Sequence, residues 1–97
     1  MINKVFNNRE YYIASFSSKN HAIQLFYSLE KKGYAIFQLV STPCKIKAGC
    51  SYSIRFDELK HLDYLKKEAS NYKRPIENIY KVRKLSGSLD IEKIDIT

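Results

Sequence analysis

The chain has 97 residues, enough for one domain with one modest core and too few for a deep substrate cavity. Its apolar share is 44%, and eight Tyr and five Phe supply core volume, so the composition is that of a folded protein. The formal net charge is +7, and no run of eighteen apolar residues exists to form a membrane-spanning helix.

The charge is unevenly spread. Residues 1–85 carry 16 basic and 7 acidic groups, whereas the tail from Ser86 to Thr97 carries one and three. A basic body suits nucleic acid or another anionic partner. Thirteen of the seventeen bases are Lys, and Asn, Ile and Tyr are also abundant. All are encoded by AT-rich codons, so compositional drift accounts for the excess equally well. Met1 to Glu10 is polar and lacks the apolar stretch of a signal peptide, which makes the cytosol the expected compartment. Two cysteines are too few for a secreted disulfide framework and are expected to be thiols.

In chain order, the short aromatic and β-branched run Tyr11 to Phe16 predicts a strand. Ser17 or Ser18 can cap a helix from Lys19 to Lys32, with Ala22, Ile23, Phe26 and Leu29 on its apolar face. Lys31 and Lys32 suit its C-terminal end, and Gly33 can stop it. Tyr34 to Thr42 is nearly unbroken in apolar character, which predicts a second strand buried on both faces at the centre of a sheet. Pro43 ends it. Tyr52, Ile54 and Phe56 alternate with Ser51, Ser53 and Arg55, the pattern of a half-buried third strand. Asp57 can cap a second helix whose apolar face holds Leu59, Leu62, Leu65, Ala69 and Tyr72. Pro75 breaks it, and Ile76 to Leu85 predicts a fourth strand.

The order β-α-β-β-α-β predicts an α+β fold of the ferredoxin-like type, an antiparallel sheet with two helices on one face. Residues 1–85 form the expected domain. The tail, 86–97, begins as a linker and is then either flexible or an added edge strand.

Chemistry is expected in the loop from Thr42 to Cys50. Thr42 and Pro43 shape its start, Gly49 permits a close backbone approach, and Cys50 opens the next strand. Lys45, Lys47 and Arg55 supply positive charge, which lowers a cysteine pKa and favours the nucleophilic thiolate. Backbone N–H groups around Ala48 to Cys50 can form an anion-binding nest for a thiolate, persulfide or selenopersulfide. The competing reading is a small, inert, buried cysteine at a strand start. Cys44 is a candidate resolving thiol if the loop folds back far enough for a disulfide.

A set of residues then carries a resemblance. Tyr12-Ile13-Ala14-Ser15-Phe16-Ser17-Ser18, His21-Ala22, Leu29, Gly33, Leu39-Val40-Ser41-Thr42-Pro43, Ile46, Gly49-Cys50 and Ser53-Ile54-Arg55-Phe56 are similar to the Se/S carrier protein-like family of short bacterial and archaeal proteins. The resemblance covers about residues 11–56, and its most specific part is the stretch from Thr42-Pro43 through Gly49-Cys50 to Arg55-Phe56. It implies that Cys50 bears sulfur or selenium, received from a donor such as a desulfurase and handed to an acceptor protein. The sequence departs from the family at Cys44 and Lys45, where an Arg and then a polar or acidic residue are expected.

Other constellations are weaker. His21, His61 and the two cysteines have no zinc-motif spacing, so no metal is expected. Three glycines leave no phosphate cradle, and no cofactor is expected. The competing class is a small basic module that binds RNA or an acidic protein, with structural cysteines. Tyr12, Tyr52 and Phe56 are of the type that stacks on bases, although Lys47 to Phe56 does not match the RNA-recognition pattern.

Overall fold

The computed structural model describes residues 10–47 and 51–95. The chain is α+β, with a five-stranded antiparallel sheet and two helices. The strands are β1 (Glu10–Ser15), β2 (Gln38–Ser41), β3 (Tyr52–Phe56), β4 (Asn78–Leu85) and β5 (Ser88–Ile94). The helices are α1 (Lys19–Lys31) and α2 (Leu62–Asn71), the latter preceded by a 3-10 turn at Leu59–His61. The sheet order is β2-β3-β1-β4-β5. Each helix therefore crosses over one intervening strand, β3 for α1 and β1 for α2.

Alternation along the strands assigns the faces. Ala14 lies between Ile54 and Ile79 in register, and Leu39 lies beside Ile54. These residues join Phe16 and Phe56, with Ala22, Leu25 and Leu29 of α1 and Leu62, Leu65 and Ala69 of α2, in the main core. Ile13, Tyr11 and Val82 lie on the opposite face and are also buried. Each such side chain is worth roughly 1.5–3 kcal/mol when withdrawn from water, so both faces contribute to stability.

Local chemistry sets the element ends. The Ser18 hydroxyl accepts the Asn20 and His21 amides and caps α1. At the other end Tyr34 N–H donates to Leu29 O at 3.1 Å and Gly33 N–H to Glu30 O at 3.0 Å. Gly33 has φ of +85°, which completes a Schellman stop. The α1 face is rotated from the expected one, with Leu25 buried and Ile23 half-buried.

Three expectations are corrected. β2 is a four-residue edge strand, not a central one running from Tyr34 to Thr42. The apolar residues before it serve the helices instead: the Tyr34 ring lies 6.4 Å from Phe37 and 5.1 Å from Tyr64. Asp57 does not cap the second helix: His61 stands at the N-cap of α2 and Glu58 at that of the 3-10 turn before it, and the Asp57 carboxylate accepts from Arg55 Nε at 3.4 Å. Ser86-Gly87 is a two-residue hairpin turn rather than a linker, with Gly87 at φ of +77° and Leu85 opposite Ser88.

The helices are tied by a buried carboxylate. Glu68 is 3% exposed, accepts from the Ser28 hydroxyl and meets Lys32 Nζ at 2.7 Å. Burial pushes its carboxyl up, but the Lys32 ammonium and the Ser28 and Asn71 hydrogen bonds outweigh this and hold it below the ordinary value of 4.5. The folded carboxyl thus binds its proton less tightly than the unfolded one. Its stabilisation is complete above pH about 4.5 and is lost as pH falls through the lower folded value. Thermal melting across pH 3 to 6 should therefore show a decline on acidification that is shallower in Glu68→Gln. Equal slopes would show that Glu68 does not carry this linkage.

Candidate functional site

The register places one end of the sheet under the loop of interest. Ser15, the last residue of β1, lies opposite Ser53 and Asn78. β2 leaves the sheet here and β3 enters it. The α1 N-terminus also opens at this end, only three residues after Ser15.

Thr42 is buried, and its hydroxyl lies 2.6 Å from that of Ser53. Its amide donates to Ser51 O at 3.0 Å. These bonds close the neck of the loop, with Thr42 on one side and Ser51 on the other. Pro43 then starts a single helical turn, its carbonyl accepting from Ile46 N–H at 2.9 Å and Lys47 N–H at 3.2 Å. Proline suits this place because the turn needs its carbonyl and not its missing amide.

The turn does not project into solvent. Ile46 packs against the buried cluster of Tyr11, Ile13 and Val82, as do Val40, Tyr80, Leu89 and Ile91. It is the one member of that cluster from outside the sheet among the described residues. The segment Pro43 to Lys47 thus lies on the sheet face that the helices leave uncovered. Cys44 sits in this turn with an exposed thiol.

The cations expected to serve an anion are engaged with the protein itself. Lys45 Nζ donates to Leu89 O at 2.7 Å. Lys47 Nζ lies 3.3 Å from Phe16 O and 3.4 Å from Glu77 Oε1. Arg55 is 8% exposed, with its guanidinium 3.8 Å from the centre of the Tyr11 ring. Gly49 and Cys50 lie outside the described residues, as does the expected backbone nest around Ala48 to Cys50. Lys47 and Ser51, which bound that segment, are both fixed at the sheet end where α1 begins.

The histidines do not share a site. His21 stands on the first turn of α1, with Nδ1 3.3 Å from the Ser17 hydroxyl. His61 lies at the opposite end of the sheet, beyond β3, beside a groove of about 600 Å³ lined also by Tyr34, Ile36 and Tyr64. Among the described residues, no group of three or more His, Cys, Asp or Glu is arranged to hold a metal. The aromatics considered for base stacking face the helices: Tyr12 stacks on Phe56 at 5.6 Å, and Tyr52 packs against the main core.

Sequence reasoning missed Ser53, Glu77, Leu89 and Ile91 as supports of the loop. Only the apolar alternation of Leu89 and Ile91 carries a signal, since it matches a strand that covers one face.

The Thr42–Ser53 bond yields a direct test. Thr42→Val leaves the Ser53 hydroxyl buried without this partner and should cost about 1–3 kcal/mol in urea unfolding. Thr42→Val with Ser53→Ala should recover part of that loss. A double variant as unstable as the sum of the two single ones would show that the hydroxyls do not interact.

No curated protein and no solved structure matches the chain. The family model described as "Putative Se/S carrier protein-like" matches residues 11–81, from β1 into β4 and through the whole loop, and the chain belongs to that family.

Proposed function

We propose that the protein is a sulfur or selenium carrier in which Cys50 holds the chalcogen. Family membership over residues 11–81 is the observation that carries this reading. The chemistry of the loop's surroundings supports it. Cys50 immediately precedes Ser51, at the sheet end where α1 opens. A helix N-terminus favours negative charge and lowers the pKa of a nearby thiol. Lys47 adds a cation at the same end, and Gly49 is a residue type that permits a close backbone approach. Lys45 and Arg55 contribute positive charge on the uncovered face.

The transfer is a thiol exchange without net oxidation. The Cys50 thiolate attacks the terminal sulfur of a donor persulfide. A bond forms between Cys50 Sγ and that sulfur, the donor S–S bond breaks, and the donor cysteine leaves as a thiolate. An acceptor thiolate then attacks the carried sulfur in the same way and releases Cys50. A desulfurase is a fitting donor, a thiol-bearing protein a fitting acceptor, and selenium follows the same route. Cys44 is the resolving thiol, able to displace the carried atom and leave a disulfide if no acceptor arrives. The scaffold for this chemistry is the ferredoxin-like arrangement, read in the strand order β2-β3-β1-β4, with β5 as an added edge.

Incubation of the reduced protein with a cysteine desulfurase and cysteine, followed by intact mass measurement, tests the reading. One sulfur, about 32 Da, should be gained and then removed by dithiothreitol. Cys50→Ser should abolish the gain and Cys44→Ser should retain it. A Cys50→Ser protein that still carries transferable sulfur as well as the wild type would overturn the assignment.

A further inference from the structure

β5 lies wholly beyond the family-matched region, which ends at residue 81 within β4. Its Leu89 and Ile91 nevertheless lie on the sheet face that the turn after β2 covers. Leu89 O receives the Lys45 ammonium at 2.7 Å, and Leu89 and Ile91 stand in the cluster that holds Ile46. The polar contact is direct, and the apolar one is shared: Ile46, Leu89 and Ile91 all pack against Tyr11, Ile13 and Val82. The turn's own hydrogen bonds are few: Ile46 and Lys47 both donate to Pro43 O. One shared acceptor is a weak internal brace for a five-residue segment, so its position depends on what it rests upon.

We infer that β5 is a positioning element, a clamp that holds the Pro43–Lys47 turn on the sheet and thereby sets the rate at which the loop exchanges sulfur. Lys45 and Leu89 are its contact points. The Lys45 ammonium is used inward, on β5, rather than outward on a ligand. The hairpin that presents β5 is firmly built. Seven consecutive pairs join it to β4, from Ile79–Ile94 to Leu85–Ser88. Arg83 adds bridges to Asp90 and to Glu10 of β1. A clamp needs such a base, because a fraying strand would transmit nothing to the turn.

The consequence for transfer rests on the carrier reading, whereas the clamp itself does not, and one experiment separates them. Hydrogen exchange at the Ile46 and Lys47 amides and sulfur loading from a desulfurase are measured on the full chain as wild type, Lys45→Met, Lys45→Arg and Leu89→Ser. Lys45→Met keeps the apolar stem and removes the donor. It should speed exchange of both amides by about two- to tenfold, the span of one net hydrogen bond. Lys45→Arg should restore slow exchange, and Leu89→Ser should speed it as Lys45→Met does. Loading rate should change in the two loosened variants and return in Lys45→Arg, with circular dichroism and melting of the β4–β5 hairpin unchanged in Lys45→Met. Unaltered exchange in both loosened variants would overturn the clamp. Altered exchange with an unaltered loading rate would overturn its positioning role. Altered exchange in a protein whose wild type takes up no sulfur would support the clamp and count against the carrier reading alone.

Discussion

The structure depends on a sheet that is apolar on both faces in a protein with helices on only one. β1 is the central strand, and its residues alternate between two hydrophobic environments. Ala14 faces the helices and Ile13 faces away, yet both are essentially inaccessible to water. With Val82 and Tyr11 also buried on the far face, something other than a helix must cover it. The cover is the turn after β2, with Ile46 as its wedge, together with Leu89 and Ile91 from β5. Hydrophobic burial thus draws the loop back over the sheet, a course that the alternation of β3 alone does not dictate.

This constraint bears on chemistry. A carrier thiol must be reachable by two different proteins, and it must also be activated. Loops on rigid sheets meet the first requirement. The second calls for fixed positive potential, which the proposed function draws from the α1 N-terminus and from Lys47, a cation that also bridges Glu77. The neck formed by Thr42, Ser51 and Ser53 and the turn at Pro43 fix residues 42–47 and 51 against the sheet. The buried Glu68, joined to Ser28 and Lys32, fixes the two helices to each other and so holds α1 in the orientation that aims its N-terminus at the loop's end of the sheet.

Much of the scaffold was legible in the residues. Ser18 as a cap, Gly33 as a stop and the Tyr52-Ile54-Phe56 alternation each express a local rule, and local rules survive in the folded chain. β2 was misjudged because apolar continuity does not distinguish a strand buried on both faces from a segment that packs on helices; Tyr34 and Phe37 do the latter. Asp57 is not the cap because a 3-10 turn separates it from α2, and its carboxylate accepts from Arg55 two residues away. The tail's strand was half visible in Leu89, Ile91 and Ile94, but the Ser86-Gly87 turn reads equally as a linker until the partner strand is known. At the site, Cys44, Pro43 and Thr42 were recognisable by type, whereas Ser53, Leu89 and Glu77 act through contacts formed only by folding. Lysines 45 and 47 were recognised as cations, while the backbone carbonyls they bind have no signature in sequence.

The central claim is that Cys50 is an activated thiol, and its ionisation tests this most directly. The alkylation rate of Cys50 in the Cys44→Ser protein, followed from pH 5 to 10, gives that ionisation without a donor or an acceptor. An apparent pKa clearly below the roughly 8.5 of a free cysteine, with reaction in the folded state, is the result the account requires. An apparent pKa at or above that value, or no reaction until the protein is unfolded, would contradict it and make Cys50 a structural residue.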